Sequence, residues 1–465
     1  MEPQQSQALA GLDDYESAAN LSPSGTSLSQ QCWIEFKQMF VQSKSTKLFV
    51  FFAAMMLAYA PQFAGAQATL LLEEPYSYDG TFAGTGHAAV YLSRVCADTP
   101  THLRRCNPGE RGVVISRYHH VDGHDWIAIP LIPYLYAVED AGDIPLYANA
   151  KLVSFLRHQY LEQIGITGSD AYQLAGSAYD RTSYGFRVET TPEQDDALIA
   201  WLNSEPNRES YELFKRNCAD FAKQIINFYY PRAIHRSIIA DIGVMTPKQA
   251  AKTLVHSSKH RAQMHLTAFI IPQVPGMKPS KPVHGVIESI VLAKKYITPV
   301  LMFHPFVIGS VEAAYWAGWR FDPAKGALIF DPVQGLQHPL TNSQRKWYEK
   351  SLTAMKRESI ESEPLPRWRK IEAHTQPQLD DSGAPVLQLE AQDAQIGICR
   401  DNAMRMVAPP QLVEDLLFAR MEQELKAHNP SHVSEQQVES DWRLLQQATK
   451  ATDALLNAGT LGGSE

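Results

Sequence analysis

The stretch Tyr211–Tyr230, YELFKRNCADFAKQIINFYY, constrains this chain more than any other. Asn217 suits a helix N-cap, and Asp220 stands three residues on, where the acid of a capping box belongs. Phe221, Ala222, Ile225 and Phe228 then recur at helical spacing, which places Cys218 in the first turn of a helix. Unpaired N–H groups and the positive end of the helix dipole favour a thiolate there, so a depressed thiol pKa is expected at Cys218. A cysteine in such a place is a candidate nucleophile, whereas elsewhere it is more often a small buried filler.

Upstream, Gly84-Thr85-Gly86-His87 leads into the strand-like run AAVYL, with His87 at its beginning. The run Tyr211, Leu213, Asn217, Cys218, Phe221, with a strand-opening histidine before the cysteine, resembles the circularly permuted papain-like thiol hydrolases. These include NlpC-like cell-wall peptidases and the lecithin–retinol acyltransferase family. The resemblance spans roughly residues 76–254. It implies acyl transfer through a thioester on Cys218, with His87 keeping the sulfur deprotonated and later protonating the leaving group. It also implies a third polar group on the next strand to orient the histidine. Matching GVVIS to that strand lands on Ser116, where the acyltransferase relatives carry a histidine. His119, expected on the same strand but its opposite face, is the other candidate.

Lys44 and Lys47 precede the apolar run LFVFFAAMMLAYA, which is followed by Pro61 and Ala64-Gly65-Ala66. That order predicts a secretory signal peptide cleaved near Ala66, with a mature chain from about Gln67 in the periplasm or secreted. The run is short for a membrane span, and an uncleaved anchor through residues 48–60 is the alternative. Residues 1–38 are polar and aperiodic, and Met39 stands just upstream of the basic residues, so Met1–Phe40 is expected to lie largely outside the translated protein.

A charged fraction of 20% and a formal charge of −8 leave no basic field, which argues against a nucleic-acid partner. Cys96 and Cys106 lie close together between strand-like runs and can pair in an oxidising compartment or remain two thiols. Cys218 and Cys399 are then left over, either free or bonded to each other.

GVVISRYHH and HDWIAIP flank Val121-Asp122-Gly123, a hairpin signal. A helix is predicted over Ala150–Ile164, a strand at SYGFRVET, a helix capped by Thr191 with Pro192 at its first position, and another from Thr246-Pro247 to about His256. The expected fold class is α+β: a permuted papain-like domain with a small antiparallel sheet packed on helices, then a mostly helical C-terminal region. The expected divisions are an N-terminal extension and signal over 1–66, the thiol hydrolase domain over 67–256, an apolar helical region over 257–358, a linker over 359–390, and a helical tail with a disordered end over 391–465.

His119, His120, Asp122, His124 and Asp125 cluster in sequence, but without Cys-x-x-Cys or HExxH spacing, so a solvated hairpin tip is expected, with no metal and no cofactor. The functional expectation is an exported bacterial cysteine hydrolase acting on amide bonds of cell-wall peptides. A lipid acyl hydrolase or transferase, or an inactive binding module, are the alternatives. The expected partner is a peptide or cell-wall fragment, with a lipid as the alternative.

Overall fold

Residues Gln67–Glu73, QATLLLE, form a strand, β1, that buries every side chain after the first. A strand apolar on both faces belongs in the middle of a sheet covered on two sides, and β1 lies between β2 (His87–Leu92) and β7 (Ser183–Glu189). In this computed structural model the described residues are 66–76, 85–167, 171–208, 210–237, 241, 243–286, 288–289, 306, 309, 321–356, 363–390, 394–404, 409–427 and 432–461. The leader and the expected anchor at 48–60 lie outside them. Among the described residues no helix is long and apolar enough to cross a membrane.

The hairpin β3 (Val95–Thr99) and β4 (His102–Arg105) precedes β5 (Val113–Arg117) and β6 (Trp126–Pro130). With β8 (Thr267–Ile271), β9 (Leu328–Asp331) and β10 (Gly335–Gln337), the main sheet has, among the described residues, eight strands in the order β10-β9-β8-β7-β1-β2-β5-β6, antiparallel except for β8 against β9. The α+β class stands, but the sheet is not the small one expected. Strands C-terminal to residue 256 extend it, so that residue marks no boundary between cores.

Helices α1 (Leu131–Tyr136), α2 (Ala150–Ile164) and α3 (Ser177–Asp180) supply one core with Leu71, Ala89, Val114 and Ile127. The opposite face packs on α4 (Pro192–Ser204), α5 (Cys218–Tyr229) and α6 (Pro247–Ser258), through Leu70, Val90, Ile115, Phe221 and Ile225. Four of these helices start at side-chain caps, three of them where the sequence places one and the fourth at Asn149. Asn149, Thr191, Asn217 and Thr246 each accept a backbone N–H three residues on, and Thr191 with Gln194 makes a full capping box.

Beyond the sheet come α7 (Asn342–Met355), α8 (Pro364–Ala373), β11 (Thr375–Leu379), β12 (Pro385–Leu389), β13 (Gln395–Gly397), α9 (Arg400–Met404), α10 (Pro410–Glu422) and α11 (Glu435–Leu461). The span 359–390, expected as a linker, therefore carries α8 and two paired strands. Trp368, fully buried on α8, anchors it in the first core, where the paired helices α10 and α11 also pack. Within the apolar region expected over 257–358, residues 290–305 lie outside the described residues.

Candidate active site

The start of α5 is fixed by its cap. Asn217 Oδ1 accepts the Asp220 N–H at 2.9 Å, while its Nδ2 donates to the carbonyls of Leu213 and Met245, each at 2.9 Å, binding the helix start to the loop before α6. Asp220 does not complete a capping box. Its Oδ1 accepts from Arg236 Nη2 at 2.7 Å, because a guanidinium within reach is a stronger partner than the cap amide.

Cys218 is buried beneath the end of the sheet, and the backbone amides of Ala88 and Ala219 favour its anion. Burial outweighs them and pushes the thiol up to about 11. The depressed pKa expected at a helix N-terminus is thus reversed, since that expectation assumed solvent around the sulfur.

His87 opens β2 opposite Glu73 of β1. The turn into it needs glycine: Gly86 has φ +69°, and a Cβ there would lie 2.0 Å from the Glu73 carbonyl oxygen. Ser116 Oγ lies 2.9 Å from His87 Nε2 and donates to the Ala88 carbonyl at 2.8 Å. A hydroxyl has one proton, and Ala88 takes it, so Ser116 accepts from His87. This accounting assigns the imidazole proton to Nε2. Nδ1 is then the basic nitrogen, and no described residue hydrogen-bonds it. Burial, reinforced by the charge of Arg181, pushes the imidazole down to about 3.

Alternation along the strands decides how these groups meet. Ala88 and Val90 share a core with Cys218, whereas Ala89 and Val114, in phase with His87 and Ser116, belong to the other. His87 stacks on Tyr118 of that second core, with ring centroids 5.3 Å apart. No hydrogen bond joins Cys218 to His87. The expectation that sulfur and imidazole face each other across a cleft floored by β2 is corrected accordingly: they flank the Ala88 peptide at the end of the sheet, with Ser116 bridging that peptide to the ring.

Behind His87 lies a charged cluster that the sequence reading missed. Glu73 Oε1 accepts from Tyr134 Oη at 2.6 Å, and its Oε2 is 3.3 Å from Arg181 Nη1. Arg181 lies over the Tyr76 ring at 4.1 Å and donates to its hydroxyl. Glu73, His87 and Arg181 are each at least nine-tenths buried. The one available signal was the pair Glu73-Glu74 closing an apolar strand, which is costly to bury unless paired.

His119 takes no part. Strand β5 ends at Arg117, and the chain turns with His120 and Asp122 at positive φ, leaving His119 exposed against His120 and Tyr211, at ring distances of 3.5 and 5.1 Å. The rest of that histidine and aspartate cluster is occupied in loop contacts. Asp122 accepts from Thr167 Oγ1 at 2.8 Å, Asp125 binds Arg117 at 2.7 and 2.8 Å, and His124 Nδ1 faces the Asn207 carbonyl at 3.3 Å. Cys96 and Cys106 form a disulfide across the β3–β4 hairpin, with Cα atoms 4.8 Å apart, and Cys218 and Cys399 are both free. No protein-family model, curated protein or solved structure matches this chain.

Proposed function

We propose that the chain is an exported thiol hydrolase of the permuted papain-like kind, in which Cys218 attacks a carbonyl and His87 handles the proton. The observation that carries this is the proton accounting at Ser116, which leaves Nδ1 as the basic nitrogen of His87, the residue next in the chain to Ala88, whose amide faces the Cys218 sulfur. Thiol and imidazole both rest neutral, so proton transfer accompanies attack instead of preceding it. The sulfur of Cys218 bonds to the substrate carbonyl carbon, and its proton passes to Nδ1, a transfer that requires the ring to swing from the opposite core to the sulfur. That proton then goes to the leaving amine, and water releases the acyl group from the thioester. The amides of Ala88 and Ala219, which face the sulfur, favour its anion as the proton leaves.

Amide bonds of cell-wall peptides are the proposed substrate, with lipid acyl groups as the second class. Purified chain is incubated with cell-wall fragments and, separately, with phospholipid vesicles, each beside a Cys218→Ala control. Product that vanishes in the control, with an acyl adduct on Cys218 by mass spectrometry, supports the reading. Product that persists in the control overturns it. A catalytically inactive binding module is the second reading, favoured by the absence of a direct Cys218–His87 hydrogen bond. It requires equal binding by the wild type and Cys218→Ala with no turnover. Export is proposed on the leader sequence, and an N-terminus found at Met1 on membrane-associated protein would count against cleavage.

A further inference from the structure

Away from the Cys218 site, a cavity of about 370 Å³ lies where the C-terminal helices meet the sheet. Its apolar walls come from Ile144, Leu146, Val274, Ile329 and Phe330. At its inner end helix α10 widens into a π-turn over Gln423–Ala427. Such turns cost hydrogen-bond geometry and often mark functional positions. The turn carries Glu424, which lines the cavity and is only 9% exposed. Glu424 Oε1 receives Arg420 Nη2 at 2.8 Å, while Oε2 is buried with no hydrogen-bond partner. A buried polar atom left unpaired in a native interior calls for an occupant.

The charges around the cavity say what kind. The guanidinium of Arg420 is used up: Nε donates to Asp441 at 2.6 Å, Nη1 to the Leu146 carbonyl, and Nη2 to Glu424. Arg400 is likewise turned to Ser440 and Asp441, and Arg111 donates to the Pro332 carbonyl. Asp140, Asp331 and Asp401 also line the space. The cations are committed to internal partners, whereas a carboxylate oxygen is not. The site therefore offers carboxyl acceptors at its polar end, with Glu424 raised to about 7 by burial even with Arg420 beside it and so short of positive charge, and apolar walls beyond.

We propose that this cavity binds a small organic ammonium ion with an apolar body, Glu424 serving as its buried counter-ion. The ammonium donates to Glu424 Oε2, and the methylene chain lies along Ile144, Val274 and Ile329.

The test is calorimetric titration of the full chain with 1,5-diaminopentane, with neutral 1,5-pentanediol and anionic glutarate as controls of similar length. The diamine is expected to bind at least about tenfold more tightly than the diol, the ratio one charge-assisted hydrogen bond supplies, and glutarate not at all. Glu424→Gln, checked for its fold by circular dichroism, is expected to weaken the diamine by about tenfold and leave any diol binding unchanged. If that variant does not fold, Asp331→Asn replaces it and must also weaken the diamine. Equal affinity for diamine and diol, no saturable binding of the diamine, or undiminished affinity in the folded variant overturns the proposal.

Discussion

Ser116 Oγ lies 2.9 Å from Nε2 of His87 and 2.8 Å from the carbonyl oxygen of Ala88, so one side chain orients both the ring and the peptide beside the Cys218 sulfur. Replacing it by alanine leaves a buried Nε2–H and a buried carbonyl without this partner. The Ser116→Ala variant is expected to lose about 1–3 kcal/mol of stability yet still fold. Turnover of an acyl substrate is expected to fall about tenfold to a hundredfold, because the ring is then free to adopt the other tautomer. Kinetics together with a urea melt check this; unchanged turnover in a folded variant removes Ser116 from the site.

Cys218 is the subject of the second prediction. A thiol pushed up to about 11 is almost wholly protonated at neutral pH, so alkylation by iodoacetamide is expected to be slow at pH 6 and to accelerate up to and beyond pH 9. Cys399 is less exposed than Cys218, donates to the Asp143 carbonyl at 2.9 Å, and has a thiol raised well above its ordinary value by burial and by Asp143, Asp380 and Asp401. It is expected to react more slowly than Cys218 at every pH. Mass mapping of the alkylated protein gives both rates. Rapid labelling of Cys218 at pH 6 would mean that the sulfur is reached in a more open state than the one described.

The helix starts were legible because caps are local: Asn217, Thr191 and Thr246 each needed only the next three residues to declare themselves. Position 116 was reached only through the family resemblance, which implies a polar group on the strand after His87; nothing in GVVIS itself marks the serine. What the sequence hid was long-range. Strand β1 follows a leader-like run, and nothing within it says that its seven residues will be covered on both faces. The Glu73–Arg181 pair joins residues far apart in the chain, and its burial follows only once β1 and β7 are neighbours. The reversal at Cys218 has the same origin, since a helix N-terminus is a local feature and desolvation is a property of the whole core.

A third prediction concerns the hairpin. The Cys96–Cys106 disulfide closes a short loop, and loop-entropy reasoning assigns it about 3 kcal/mol. Reduction, or the double replacement by serine, is expected to lower unfolding stability by about that amount without disturbing α5, because among the described residues β3 and β4 form a two-stranded sheet of their own. Urea melts with and without reductant measure it. A loss of less than about 1 kcal/mol would place the constraint in the strand pairing instead.

The last prediction turns on the sign of the His87 shift. The folded imidazole is held down to about 3, while an unfolded histidine titrates near 6.5. Below pH 6.5 the unfolded chain therefore takes up a proton that folded His87 refuses. Stability from this residue is lost as pH falls from 6.5 towards 3, by up to about 1.4 kcal/mol per unit. Glu74 acts oppositely, since burial raises it to about 7 and the folded state keeps its proton, so its effect is to destabilise as pH rises from 4.5 to 7. Wild-type melts mix the two, and a variant separates them. In His87→Gln the amide can still donate to Ser116 but cannot titrate. Urea midpoints at pH 7 and pH 4.5 are expected to drop more in the wild type than in His87→Gln, and Glu74→Gln is expected to widen the wild-type drop. Equal drops in wild type and His87→Gln would mean that His87 is protonated normally in the folded protein, and with it the buried, neutral imidazole that the proposed chemistry uses would be lost.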